Sequence, residues 1–506
     1  MNTPLRKVGL AMLVMVLLLL ANTTYLEVFK ADEYRADPRN QRVLLEEYAR
    51  QRGQIVSQEN GQVLASVKST NDRLKYQRVY ANGPLYAPVT GFYSVIYGSK
   101  GIERADDEIL NGSDDRLFVR RLSDLITGRD PRGGNVVVTI NPKVQQTAYK
   151  ALTDRGYRGA VVALNPKTGE ILGMVTTPSY DPNTLASHTR DDQVKAWTKY
   201  TKDPANPMLD RAIQGVYAPG STFKLVIASA ALEDGRDKNT QLMAANGVDV
   251  ISGQPCDPSD GSTRCLSNYG GSHCGSGQTA SMETAIELSC NTAFADLSHQ
   301  LGEDKVRDMA SKYGIGDQDL EIPMPVETSC IGPRNDGQCM DVVDAPALYQ
   351  TGIGQRDVGL TPLQNAMIAA TIANGGDRMR PQLVEKILAA DLTTISDFEP
   401  ENLGQVISQG NAGQLRDMML KSEQHSCANG CYGDNKVAIA SKTGTAEKGV
   451  DPKKTPPFAW YVGFAPADNP QVAVAVVVES REVTATGGKV SGDIGRMTMY
   501  AALGGS

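Results

Sequence analysis

The sequence predicts a mixed α/β protein in which one sheet is assembled from two distant stretches of chain and a helical subdomain is inserted between them. Three observations lead there. Strand-like runs at 159–164 and 170–175 flank Asn165-Pro166-Lys167-Thr168-Gly169, a loop with turn chemistry, so they form a hairpin. A second strand group lies far downstream, at 437–440, 460–464 and 472–478. Between the two groups the chain reads as helices and loops.

Taken in order, the chain opens with Arg6 and Lys7, followed by residues 8–21, which carry neither charge nor proline. That run weakens at Asn22-Thr23-Thr24 and resumes through Leu26, which brings it close to the ~20 residues that a membrane-spanning helix requires. No Ala-x-Ala-like cleavage site is present, so 8–28 reads as an uncleaved signal anchor rather than a removed signal peptide. The basic residues ahead of it make 1–7 a cytoplasmic tail and put the remainder outside the membrane. The eight cysteines agree with export, because disulfides persist there. None pairs with histidines at metal-ligand spacing. Near neighbours suggest Cys256 with Cys265, Cys330 with Cys339 and Cys427 with Cys431, which leaves Cys274 with Cys290; eight cysteines allow 105 connectivities, so these four pairings are hypotheses.

At 506 residues the chain is too long for one compact core. Residues 29–150 read as a first extracytoplasmic unit. A polar amphipathic helix is expected over 40–51, a strand–turn–strand through Asn60-Gly61, and a strand over 92–97. No catalytic constellation appears in it, so a packing or docking module is the expectation. The texture changes from Gly134 onward, with a strand over 135–140 and a helix over 142–152, and 151–506 forms the second, larger unit. Later helices are expected over 281–288, 292–301, from Thr361-Pro362 to Asn374, and over 490–503. The net charge of −7 argues against a nucleic-acid binder.

Three short stretches point to chemistry. Gly220-Ser221-Thr222-Phe223-Lys224 opens a helix expected over 221–233, apolar all round and therefore buried. At i and i+3, Ser221 and Lys224 share a face. A hydroxyl beside an amine that burial pushes toward neutrality is an activated-nucleophile arrangement. Ser-x-x-Lys is expected about twice by chance in a chain this long, and it occurs once here. Lys442-Thr443-Gly444-Thr445 follows the strand expected over 437–440. A cation, a hydroxyl and a glycine at a sheet edge suit an anionic, extended substrate. The copy at Lys167-Thr168-Gly169 is turn punctuation. Ser289-Cys290-Asn291 lies between two helices of the inserted subdomain, whereas Ser69-Thr70-Asn71 lies in the first unit. Taken singly, each polar residue here is more readily a helix cap or turn residue. Their order and context carry the signal.

That order, Ser221-x-x-Lys224, Ser289-x-Asn291, Lys442-Thr443-Gly444, is the signature of penicillin-binding proteins and serine β-lactamases. Together with Tyr217-Ala218-Pro219-Gly220, Gly354-Gln355, Leu360-Thr361-Pro362-Leu363-Gln364 and Trp460-Tyr461-Val462-Gly463-Phe464-Ala465-Pro466, it makes essentially the whole chain resemble class B penicillin-binding proteins, the actinobacterial A type most of all. The resemblance implies an antiparallel five-stranded sheet with helices on both faces, an all-helical subdomain, an elongated N-terminal pedestal or dimerisation-like domain and one transmembrane helix. It implies a D,D-transpeptidase of peptidoglycan synthesis, acting in growth and division, with no metal or cofactor. Ser221 would be the nucleophile, Lys224 its base, Ser289 and Asn291 a proton relay and substrate holder, and Lys442, Thr443, Gly444 and Thr445 the carboxylate and oxyanion side of the pocket. Implied partners are stem peptides ending in D-Ala-D-Ala, β-lactams, a membrane-embedded glycosyltransferase and division proteins. Two alternatives stay open: a D,D-carboxypeptidase or β-lactamase of the same fold, and a non-catalytic β-lactam sensor or scaffold.

Overall fold

The structure, a computed structural model, describes residues 2–30, 48–117, 132–427, 437–449 and 454–505. Helix α1 (Asn2–Phe29) holds the stretch Arg6–Val28, which contains an 18-residue window of mean hydropathy 2.0, none of it buried inside the protein. It is long and apolar enough to cross a membrane. The helix expected over 40–51 falls largely outside the described residues.

The N-terminal region supplies β1 (Ile55–Ser57), β2 (Val63–Ser69) and β3 (Tyr76–Tyr80). β1 and β2 pair antiparallel across Asn60-Gly61, where both residues take positive φ, +62° and +58°, a conformation Asn and Gly tolerate. The strand expected over 92–97 is shorter: Phe92–Ser94 turns at once into Gly98–Lys100. β4 (Asn135–Val138) pairs parallel with β1. The chain then enters α2 (Pro142–Thr153), whose N-cap Asn141 accepts from the N–H groups of Lys143 and Val144.

β5 (Arg158–Leu164) and β6 (Ile171–Thr177) form the predicted hairpin. The helical middle of the chain contains α3 (Lys224–Glu233), α4 (Asn291–Leu301) and α5 (Pro362–Ala373). Then β7 (Val384–Leu388) and β8 (Thr394–Asp397) return to the N-terminal sheet, completing the order β8-β7-β4-β1-β2-β3. No sequence pattern announced that return. It joins residues some 250 positions apart in one sheet, so the N-terminal region and the following domain share hydrogen bonds.

Helix α6 (Gln409–Ser426) precedes β9 (Ala440–Ala446), β10 (Phe458–Ala465) and β11 (Val472–Glu479), and α7 (Gly492–Ala502) ends the described chain. The second sheet has the order β9-β10-β11-β5-β6, antiparallel throughout. Its central strand β11 is a continuous Val/Ala run because both faces are covered. Ala473, Ala475 and Val477 join the core shared with Leu363, Ala366 and Ile372 of α5. Val472, Val474, Val476 and Val478 face Val144 and Ala148 of α2 and Ile494 and Met499 of α7.

Two expectations need correction. The helix expected over 490–503 is split, with a short turn at Gly487–Val490 before α7. The strand expected over 437–440 begins only at Ala440 and runs through Ala446, so Lys442–Thr445 sit inside a strand rather than after one. The apolar run misled because this is an edge strand. Pairing to β10, with Lys442 opposite Val462 and Gly444 opposite Trp460, holds polar residues extended without an alternating apolar pattern.

Candidate active site

Ser221 does not open an α-helix as the spacing suggested. It occupies a 3₁₀ turn, Gly220–Thr222, closed by the Phe223 N–H donating to Gly220 O at 3.0 Å; α3 begins at Lys224. The turn is held from several sides. Gly220 takes φ +56°, and its N–H donates to Gly354 O at 2.9 Å. Tyr217 and Leu360 exchange backbone hydrogen bonds. Asn365 of α5 donates through Nδ2 to Thr222 Oγ1 at 3.0 Å. Trp460 of β10 donates through Nε1 to Ala218 O at 2.9 Å.

Strand β9 lies against this turn. A Cβ on Gly444 would stand 2.7 Å from Pro219 O, and one on Gly220 would stand 2.9 Å from Thr445 O. Neither contact tolerates a side chain, which is why both positions are glycine. Ser289 sits in the turn between helix Met282–Glu287 and α4, with φ +59°.

The three stretches meet through two lysines, both with no exposed surface. Lys224 Nζ donates to Ser289 O at 2.7 Å and Asn291 Oδ1 at 2.8 Å. Lys442 Nζ donates to Ser289 Oγ at 2.7 Å and Thr443 O at 3.0 Å. Among the described residues neither lysine has a carboxylate within ion-pair distance, and the partly exposed Ser221 hydroxyl has no hydrogen-bond partner. Burial, and then the charge of Lys442, push the Lys224 ammonium well below the usual lysine range. Burial pulls Lys442 down to about 7. Lys224, three residues along the chain from Ser221, is therefore a candidate base.

The remaining sequence candidates fall as follows. Thr443 and Thr445 lie on β9, and Thr445 Oγ1 accepts from the Gly487 N–H at 3.2 Å. Lys167-Thr168-Gly169 stays in its hairpin, with Gly169 at φ +78°, and Ser69-Thr70-Asn71 ends β2. Disulfides join Cys256 to Cys265, Cys274 to Cys290 and Cys330 to Cys339. Cys427 is also disulfide-bonded, and Cys431 lies outside the described residues.

Several supporting residues carry no motif. Ser441, next to Lys442, donates to Glu423 of α6; Glu423 also accepts from Tyr461 OH at 3.1 Å and Arg496 Nε at 2.7 Å. Asn268, from a loop, accepts from the Asn291 N–H at 2.7 Å. An unusual Glu in a polar helix and an Asn in a Gly/Ser-rich loop give no periodic signal, so only the fold reveals them.

Comparison with known proteins places this geometry. Residues 159–500 match the penicillin binding protein transpeptidase domain, and 52–136 match the penicillin binding protein A dimerisation domain. The chain is 52% identical over 508 residues to peptidoglycan D,D-transpeptidase PbpA of Mycolicibacterium smegmatis, covering 99% of each. It is 49% identical over 510 residues to the PbpA of Mycobacterium tuberculosis, covering 100% of each. Among solved structures, penicillin-binding protein A from M. tuberculosis as a ceftriaxone acyl-enzyme complex superposes with a TM-score of 0.84 at 47% identity, covering 91% of this chain and 100% of that one. With its two apposed lysines, its serine turn and its glycine-bearing edge strand, the chain belongs to the penicillin-binding protein transpeptidase family.

Proposed function

We propose that the chain is a membrane-anchored peptidoglycan D,D-transpeptidase that cross-links stem peptides through an acyl-enzyme on Ser221. The observation that carries the reading is Lys224: buried, beside a second lysine, with two fixed acceptors for its N–H groups. A neutral amine has two N–H bonds and one lone pair. With Ser289 O and Asn291 Oδ1 taking the two N–H bonds, the lone pair is left for the Ser221 proton.

Ser221 Oγ then attacks the carbonyl carbon of the penultimate D-alanine, and its proton passes to Lys224. The backbone N–H groups of Ser221 and Thr445 receive the developing oxyanion. Ser289, hydrogen-bonded to Lys442, hands its proton to the leaving nitrogen as the peptide bond breaks and the terminal D-alanine departs, and takes up in its place, by way of Lys442, the proton that Lys224 removed from Ser221. Lys442 and Thr443 hold the terminal carboxylate, Gly444 admits the extended backbone, and Asn291 holds the substrate amide. An amine of a neighbouring strand attacks the ester and loses a proton to the same relay; Lys224 returns that proton to the Ser221 oxygen as the ester bond breaks. β-Lactams acylate the same oxygen.

In this reading residues 1–7 are cytoplasmic, 8–28 span the membrane, 29–150 form a pedestal and 151–506 the transpeptidase domain on the outer side. A membrane-embedded glycosyltransferase and division proteins are the partners. The test uses the full-length protein in detergent with a fluorescent penicillin. A stoichiometric, stable adduct mapped to Ser221, lost in Ser221→Ala, supports it, as does D-alanine release coupled to cross-linking of pentapeptide strands. Rapid hydrolysis of the adduct points instead to a β-lactamase. Growth and cross-linking restored by Ser221→Ala point to a scaffold.

A further inference from the structure

The middle residue of Ser289-Cys290-Asn291 is locked in a disulfide to Cys274. Cys290 is also the N-cap of α4, and it makes no side-chain cap hydrogen bond. The first N–H groups of a helix need an acceptor, and a disulfide sulfur is a poor one. Asn268 supplies it from another loop. Its Oδ1 accepts from the Asn291 N–H at 2.7 Å and the Thr292 N–H at 3.0 Å, while the Thr292 hydroxyl, 3.3 Å away, donates to Ala245 O at 2.9 Å. Its Nδ2 donates to Ala245 O at 3.0 Å and Ser272 O at 2.9 Å. Every hydrogen-bonding position of this buried amide is in use.

The neighbouring residue completes the arrangement. Ser267 O accepts from Asn291 Nδ2 at 3.0 Å. With that nitrogen tied to Ser267, the amide cannot flip, and Asn291 Oδ1 is the atom that meets Lys224 Nζ at 2.8 Å. Ser267 and Asn268 close a short strand, Cys265–Ser267, that is pinned by the Cys256–Cys265 disulfide and paired to Gly247–Asp249. The loop is thus braced on both sides, and its braced end bears on one catalytic amide.

We infer that Asn268 is a positioning residue of the transpeptidase: it caps α4 from outside, fixes Asn291, and through Asn291 aims the Lys224 amine at Ser221. The inference rests on the transpeptidase reading and adds to it a residue that touches neither substrate nor nucleophile. A displacement of Asn291 removes the second acceptor that orients the Lys224 amine.

The test compares the full-length parent, Asn268→Ala and Asn268→Asp in detergent, at saturating fluorescent penicillin. It reads two quantities: the fraction of chains that finally label, and the first-order rate constant of that fraction. A purely structural role lowers the first and leaves the second unchanged. The expected result for Asn268→Ala is a rate constant about ten- to a hundredfold lower, since misplacement from outside the site costs that much. Asn268→Asp keeps the capping oxygen but sets a second oxygen against Ala245 O and Ser272 O, so its rate constant is expected between those of Asn268→Ala and the parent. Asn268→Ala labelling at the parental rate overturns the proposal, as does Asn268→Asp slower than Asn268→Ala. Hydrogen exchange on the parent alone decides the matter if Asn268→Ala does not fold. The Asn291 and Thr292 amides are expected to exchange slower than exposed amides by on the order of a hundredfold or more, and exchange at the exposed rate overturns the proposal. Failure of the parent to label at all strikes the transpeptidase reading and leaves the exchange result to judge Asn268 separately.

Discussion

Two clusters of buried charge sit in the same molecule and are built on opposite principles. In the N-terminal region Glu103, with no exposed surface, lies between two buried arginines: Arg52 Nε at 2.6 Å and Arg78 Nε at 2.5 Å. Burial opposes ionisation of Glu103, but Arg78 and Arg52 outweigh it and hold the carboxyl below its usual range. In the candidate active site two equally buried lysines face each other, and among the described residues their acceptors are all neutral. There burial acts unopposed, and both amines are pushed toward neutrality. Burial alone therefore does not distinguish a structural charge from a reactive one. The distinction lies in whether the opposite charge is supplied.

The comparison can be broken most sharply at Lys224. Lys224→Met is expected to slow acylation by a fluorescent penicillin by about 10²–10⁴-fold, with a smaller stability loss than any break in the Glu103 cluster. Near-parental acylation would remove Lys224 as the base. The opposite profile is expected for Glu103→Ala. Removing the carboxylate leaves buried Arg78 with no anionic partner and Arg52 with Asp107 alone, which should cost roughly 3–5 kcal/mol in denaturant unfolding, while chains that remain folded acylate at the parental rate. A loss below about 1 kcal/mol would mean that water reaches the arginines and that the cluster resembles an exposed ion pair.

Lys442 sharpens the contrast through pH. Its folded-state pKa of about 7 lies below the ordinary 10.5, so between those values the unfolded chain binds more protons than the folded one. Stability therefore rises with pH across that window. Lys442→Met is expected to flatten the rise in thermal midpoint between about pH 7 and 10 and to raise the midpoint at its lower end. An unchanged slope would place the proton elsewhere. The smallest effect concerns the acid limb of acylation, which rises with pH as Lys224 becomes neutral. The charge on Lys442 is the second cause of that depression, after burial, so Lys442→Met should move the limb to higher pH in a pH series of acylation rates. A shift to lower pH would contradict the like-charge coupling.

Much of the site was legible beforehand because its chemistry is concentrated in three short stretches. Ser221 with Lys224, Ser289 with Asn291, and Lys442 through Thr445 each need fixed residue types at fixed spacing. The hairpin through Gly169 was legible for a related reason: turn chemistry is local. What failed were details set by partners. The strand carrying Lys442 starts later than its apolar residues predict because β10, not those residues, keeps it extended. Ser221 lies in a 3₁₀ turn rather than the predicted α-helix because the Gly354 and Thr445 contacts around that turn come from far along the chain.

By itself the sequence determined the chemical groups, the anchor-like apolar run and the two-ended origin of the catalytic sheet, since each follows from residue type, spacing or local hydropathy. Only the tertiary structure decided that β7 and β8 would complete the N-terminal sheet, that Asn268 would cap a helix that begins 23 positions further on, and that two lysines 218 positions apart would share Ser289. The physical reason is that a local pattern fixes what a segment can bury or bond. Which distant group satisfies it is settled only when backbone N–H groups, buried amines and amides must all find partners in one packed interior.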